Sequence, residues 1–138
     1  MPLYGLTSRK YLSATEKQEL VDLFTEAHCS IMIAPEQFVH VIFFEGIPII
    51  ENKSLYIHAN VRLGRSQSQI DKVCEAFKKG CAKILQVNED KIHINLMEID
   101  GKWAMEGGFV MPSPGEEDEW MEKVTKALEE RKTIAVGT

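Results

Sequence analysis

A proline directly behind the initiating methionine is the first residue of this chain whose type could do chemistry. Removal of Met1 would leave Pro2 as a free secondary amine heading the apolar stretch Pro2-Leu3-Tyr4-Gly5-Leu6. An α-amine titrates at about 7.7–8.0, and burial or neighbouring cations lower that value by disfavouring the charged form. A buried terminal proline can therefore act as acid or base near neutral pH, whereas with Met1 attached its nitrogen is an amide without basicity. Further along, Arg62-Leu63-Gly64-Arg65 places two guanidinium groups just ahead of a helix start. Planar guanidiniums pair bidentately with carboxylates, and helix N-terminal amides add to an anion site; the same spacing also suits a solvated loop. Glu106 has Trp103, Met105 and Phe109 as sequence neighbours. Apolar surroundings would raise its pKa and fit it for proton transfer, the alternative being an exposed loop glutamate. His28 falls at the end of a helix, where an imidazole caps carbonyls by default or reaches a pocket.

The elements that must position these residues are written in caps and periodicities. Ser13-Ala14-Thr15-Glu16 has the spacing of a capping box, and Leu20, Leu23, Phe24, Ala27 and Ile31 then trace one apolar stripe ending before Pro35. Residues 38–44 and 55–59 are rich in β-branched and aromatic side chains and read as strands, separated by a Gly-, Pro- and Asn-containing segment over 45–52 that suits a loop or a short hairpin. After Arg65 a second stripe runs through Ile70, Val73, Cys74, Phe77, Cys81, Ile84 and Leu85, with Ser66 or Ser68 as N-cap. Residues 91–97 alternate as a further strand. With a first strand at Pro2, the pattern is strand, helix, strand, given twice when Pro2 is laid over Leu55 or Tyr56. Right-handed crossovers put both helices on one face of the sheet, so the other face needs cover that a second subunit would supply. The Met111-Pro112-Ser113-Pro114-Gly115 break precedes a last helix over 116–131, with a solvated acidic first turn, an apolar edge of Trp120, Val124 and Leu128, and Arg131-Lys132 at its end to suit the helix dipole. The expectation is one domain over 1–138, duplicated at about 2–54 and 55–111, with a C-terminal helical extension over 112–138.

Composition narrows the function classes. At 138 residues, 44% of them hydrophobic and 27% charged, the chain reads as an ordinary globular protein. A net charge of -5 without a basic cluster argues against nucleic acid as a partner. The longest apolar stretches, near 31–34 and 41–44, fall far short of the roughly 18 residues of a membrane span, and no leader-like pattern opens the chain; a cytosolic location is expected. Cys29, Cys74 and Cys81 form neither a CxxC pair nor an even set, so free core thiols are favoured over disulfides or zinc. His40, His58 and His93 sit in strands without metal-ligand spacing, and no nucleotide-binding or nucleophile-elbow motif is present, so neither a metal nor another cofactor is called for.

Taken together, Pro2-Leu3-Tyr4, Thr25-Glu26-Ala27-His28, Arg62-Leu63-Gly64-Arg65-Ser66, Met105-Glu106-Gly107-Gly108 and Pro112-Ser113-Pro114-Gly115 leading to Glu119-Trp120 resemble the tautomerase superfamily, in its cis-3-chloroacrylic acid dehalogenase-like branch, over nearly the whole chain. The resemblance implies an α+β fold of two fused βαβ units, a two-layer arrangement with a mixed four-stranded sheet and helices on one face, assembled as a homotrimer. It also implies that Pro2 is catalytic, that Arg62, Arg65 and His28 hold the carboxylate of a small substrate, and that Glu106 acts on water or a substrate proton. The branch's dehalogenase has a tyrosine assisting the glutamate, and the aligned position here is Asn95, which can orient a water but has no phenolic proton. Proton transfer on a 2-oxo or enol carboxylate is thus the preferred expectation. The alternatives are hydration or dehalogenation of unsaturated three-carbon acids, and a non-catalytic oligomeric binding protein that keeps Met1.

Overall fold

Two serines start the two long helices in the same way. Ser13 Oγ accepts the Glu16 backbone N–H at 3.0 Å while Glu16 Oε1 accepts the Ser13 N–H at 2.9 Å, opening α1 (Ala14–Met32). Ser66 and Gln69 repeat the device at 3.2 and 3.0 Å, opening α2 (Gln67–Leu85). The second box does more than the first, because Gln69 Nε2 also donates to the Ile31 carbonyl at 3.0 Å. That carbonyl belongs to the last turn of α1, where intrahelical donors run out. Gln69 thus joins the end of one helix to the start of the next. The structure, a computed structural model, describes residues 2–34 and 36–137; Met1 and Pro35, on which two of the sequence expectations fall, lie outside them.

Four strands form one sheet in the order β2-β1-β3-β4, from β1 (Pro2–Ser8), β2 (His40–Phe44), β3 (Leu55–Arg62) and β4 (Ile92–Ile99). β1 runs parallel to β2 and β3 parallel to β4, while β1 and β3 are antiparallel, with Pro2 opposite Val61 and Ser8 opposite Leu55. This is the α+β arrangement of two βαβ units expected from the sequence, with α1 and α2 packed on each other over one face. Alternation along β1 and β3 sends Tyr4, Leu6, Ile57, Ala59 and Val61 into that layer, where all are fully buried. The Phe24 and Phe77 rings, one from each helix, stack at 4.1 Å, and the Tyr4 ring meets each of them at 5.0 Å.

Four boundaries differ from the sequence reading. Residues 36–38 form a 3-10 turn, so β2 begins at His40. β3 continues past 59 to Arg62, since the alternation of buried residues carries through Val61. The stretch read as a loop before Phe109 holds a short hairpin, β5 (Met105–Glu106) with β6 (Phe109–Val110), whose Gly107 and Gly108 both have positive φ, as a tight two-residue turn requires. Finally, α3 (Glu117–Gly137) extends beyond Arg131. Arg131 is therefore not a C-terminal dipole partner. Its guanidinium lies 4.5 Å over the Phe109 ring and donates to the Gly107 carbonyl at 3.5 Å, fastening α3 along the hairpin. No helix among the described residues is long and apolar enough to cross a membrane.

Candidate active site

The antiparallel pairing of β1 with β3 brings the first residue of one repeat beside the last residues of the other. Pro2, buried at the head of β1, is opposite Val61, and Arg62 follows as the final residue of β3. The turn from Arg62 to Arg65 closes through Gly64, at φ +107, where an added Cβ would stand 2.8 Å from the Pro114 ring. Only glycine allows this approach without displacement, and it draws the segment around Pro112-Ser113-Pro114 down onto the arginines. The last turns of α1 supply His28. Pro2, His28, Arg62 and Arg65 thereby line one cavity of about 280 Å³, walled also by Phe38, Met111, Pro112, Glu117 and Trp120.

The charged groups in that cavity are differently employed. Arg62, only 13% exposed, donates to the Pro112 carbonyl at 3.1 Å and to Glu117 Oε1 at 3.2 Å. Arg65 is half-buried, and its buried Nε has no hydrogen-bond partner among the described residues. Burial, then the nearby Arg62 cation, hold the Arg65 guanidinium below its ordinary pKa, though the group stays cationic at any physiological pH. A buried unpaired donor costs free energy, and an anion seated in the cavity removes that cost.

His28 is buried and does not cap α1 as the default reading held. Its Nδ1 lies 2.5 Å from the Tyr4 hydroxyl, and its buried Nε2 has no partner among the described residues. Burial lowers the His28 pKa to about 4, with the Arg65 cation adding to the effect. Burial also raises the Tyr4 phenol far above its ordinary value. Both groups are thus neutral at pH 7; in the tautomer in which Nδ1 accepts the Tyr4 hydroxyl proton, the imidazole carries its hydrogen on Nε2. That tautomer presents an N–H donor to the same cavity that Arg65 faces.

Glu106 and Asn95 do not join this group. Glu106 lies outside the cavity lining and meets His40 Nε2 at 3.6 Å. Of its apolar sequence neighbours, Trp103 and Met105 face outward, 85% and 69% exposed, whereas Phe109 is opposite it in the hairpin, and the Glu106 side chain is itself only 11% exposed. Asn95 sits exposed on β4 opposite His58. It alternates with Ile94 and Leu96, which pack on the core, so it lies on the sheet face away from the helices. The cysteines are not reactive groups: Cys81 is pushed up to about 12 by burial, and burial likewise raises Cys29 and Cys74. No cluster of metal-ligating side chains occurs among the described residues.

Sequence reasoning missed Tyr4 and Glu117. The signal for Tyr4 was its place two residues after Pro2 on the helix-facing side of β1. Glu117 gave no distinct signal, since an acid in the first turn of a helix already has a local explanation.

No family model and no curated protein matches the chain. Solved structures do. The crystal structure of N1, a member of the cis-3-chloroacrylic acid dehalogenase family, superposes with a TM-score of 0.79 at 28% identity, covering 94% of this chain and 96% of that one. An asymmetric trimer of the R7 fused 4-OT matches with a TM-score of 0.69 at 19% identity over 78% of this chain and 94% of that one. The MIF2 protein of Leishmania major gives 0.68 at 14% identity over 78% and 95%. The last two show the fold alone.

Proposed function

Since the chain belongs to the cis-3-chloroacrylic acid dehalogenase-like branch of the tautomerase superfamily, we propose that it is a proline-dependent tautomerase moving a proton on a small 2-oxo or enol carboxylate. The observation that carries this reading is the convergence of Pro2, His28, Arg62 and Arg65 on one cavity. Arg65 and the His28 Nε2–H hold the substrate carboxylate, while Arg62, paired with Glu117, frames the cavity beside them. Burial and two adjacent guanidiniums favour the neutral form of the Pro2 amine, which takes the enol hydroxyl proton and returns one to C-3. The negative charge that develops on the enolate oxygen faces the same cationic wall. The step needs no cofactor. In this reading Met1 is removed and the mature chain begins at Pro2.

Hydration or dehalogenation of an unsaturated acid would instead need Glu106 to direct water at C-3. The placement of Glu106 against His40 favours tautomerisation. Asn95 lies on the sheet face where Ile42, Phe44 and Met97 are also exposed. Burial of that face in a homotrimer is part of the proposal, and Asn95 reaches a substrate only across such a subunit boundary. The deciding experiment is incubation of the protein with enol and cis-3-substituted acrylic acids, followed by NMR, beside intact mass and sedimentation. Ketonisation abolished by Pro2→Ala, a mass lacking Met1 and a species near three times 15.7 kDa are expected. A chain retaining Met1 with no turnover of any acid would leave the non-catalytic binding protein standing.

A further inference from the structure

Among the described residues Glu117 is the one carboxylate lining the cavity, and it is held there from several sides. Its Oε1 takes the Arg62 guanidinium at 3.2 Å, its Oε2 takes the Gly115 backbone N–H at 2.8 Å, and it opens α3, where the helix dipole favours an anion. A second Arg62 nitrogen, Nη1, donates to the Pro112 carbonyl at 3.1 Å. Of the two arginines, only Arg65 has a buried nitrogen without a partner among the described residues, beside the unpartnered His28 Nε2. Two guanidiniums less one carboxylate leave the cavity a single positive charge, His28 being neutral. Away from Arg65 and His28 the wall is apolar: Ile33, Ala34, Phe38, Met111, Met121 and the Trp120 ring, whose Nε1 is spent on the Val110 carbonyl at 2.6 Å.

We infer that Glu117 is a specificity-determining residue that restricts the site to monocarboxylates with an apolar tail, by neutralising Arg62 and repelling a second substrate carboxylate. This rests on the proton-transfer reading above and adds the substrate class to it. One carboxylate seated on Arg65 and His28 satisfies both orphan donors. A second carboxylate on the same small skeleton finds no free cation and meets either the apolar wall or Glu117. Rejection comes from a desolvated, unpaired charge and from like-charge repulsion, the usual way a site excludes a near-isostere.

The test uses two acid pairs that differ only in a terminal methyl against a carboxylate. Crotonate and fumarate report binding by calorimetry, while the enols of 2-oxobutanoate and oxaloacetate report turnover, all at low ionic strength because Glu117 is 47% exposed and its field is screened by salt. Wild-type protein is expected to bind crotonate more tightly than fumarate, and Glu117→Gln to shift the fumarate-to-crotonate Kd ratio about tenfold towards the diacid, with the ratio of kcat/KM values moving the same way. Glu117→Asp is expected to keep the wild-type preference. An unmoved ratio, or equal tightening of both acids in Glu117→Gln, overturns the inference, since the second result makes Glu117 a mere competitor for Arg62. Binding selectivity as stated without ketonisation of either enol would sink the catalytic reading and leave the selector in place.

Discussion

The two ends of the four-stranded sheet are built alike and equipped differently. At one end β1 starts beside the end of β3, and the chain turns from Arg62 through Arg65 into the capped α2. At the other end β3 starts beside the end of β1, and the chain turns from Ser8 through Arg9 and Lys10 into the capped α1. Each end has a cavity of similar size, about 280 Å³ at the first and about 270 Å³ at the second, the latter lined by Arg9, Lys10, Lys53 and Ser54 among others. The difference lies in what the polar groups do. Arg9 spends one nitrogen on the Ile49 and Ile50 carbonyls at 2.5 and 3.1 Å, and Lys53 donates to the Asp90 carbonyl at 2.5 Å. Where the first end has Pro2, the second has Leu55, a fully buried residue whose nitrogen is an ordinary amide. Cationic side chains at a strand end are thus not enough. What separates the ends is a proline at the strand start, an amine in the proposed mature chain, and buried donors left unspent.

The largest expected effect comes from making the ends chemically equal at Pro2. Retaining Met1 by genetic or chemical means, so that Pro2 becomes an amide, is expected to lower kcat for enol ketonisation by about 10² to 10⁴, the usual span for loss of a general acid–base. Steady-state kinetics would decide it, and activity within threefold of the mature protein removes the proline from the mechanism. Next in size is the arginine contrast. Arg65→Ala is expected to cost about 2–5 kcal/mol in kcat/KM, with Lys restoring only part because it lacks the planar fork. Arg9→Ala is expected to leave kcat/KM within twofold. Equal losses in both variants would dissolve the comparison.

Acid unfolding gives a third measurement, of intermediate size. The folded-state pKa of His28, about 4, lies below its unfolded value of about 6.5, so between these values the unfolded chain binds a proton that the folded chain refuses. The stability tied to this residue is present above pH 6.5 and is lost as pH falls towards 4, amounting to about 3 kcal/mol at most. In denaturant titrations across that window His28→Gln is expected to flatten the slope, and an unchanged slope would remove His28 as its source. The smallest effect compares the caps. Ser13→Ala and Ser66→Ala are each expected to cost about 1 kcal/mol of stability, but only Ser66→Ala, adjacent to Arg65, is expected to raise KM.

Much of this could be read in the sequence. Both capping serines, the helix-period stripes and the repeat of strand, helix and strand are local signals, and local interactions produced them. Pro2, His28, Arg62 and Arg65 were recognisable by type and order. The employment of these groups was not, because it depends on contacts between residues distant in sequence. Tyr4 pairs with His28 across 24 positions, and Glu117 meets Arg62 across 55. The misread end of α3 has the same origin: Arg131 looked like a terminal dipole partner because nothing in the sequence reveals that Phe109 lies beneath it. Around Glu106 sequence and space agree only in part: Phe109 pairs with it across the hairpin, whereas Trp103 and Met105 face outward.

Glu16 and Gln69 hold the same place in their capping boxes, yet the two are not interchangeable. A carboxylate at position 69 would still close the box on Ser66, but it would set a negative oxygen against the Ile31 carbonyl that now receives an N–H. The near-isosteric exchange of glutamine for glutamate, silent at most helix starts, would here push apart the two chain segments that deliver His28 and Arg65. An amide is the side chain that can face a donor on one side and an acceptor on the other, and the duplicated fold became asymmetric at the one position where both are required.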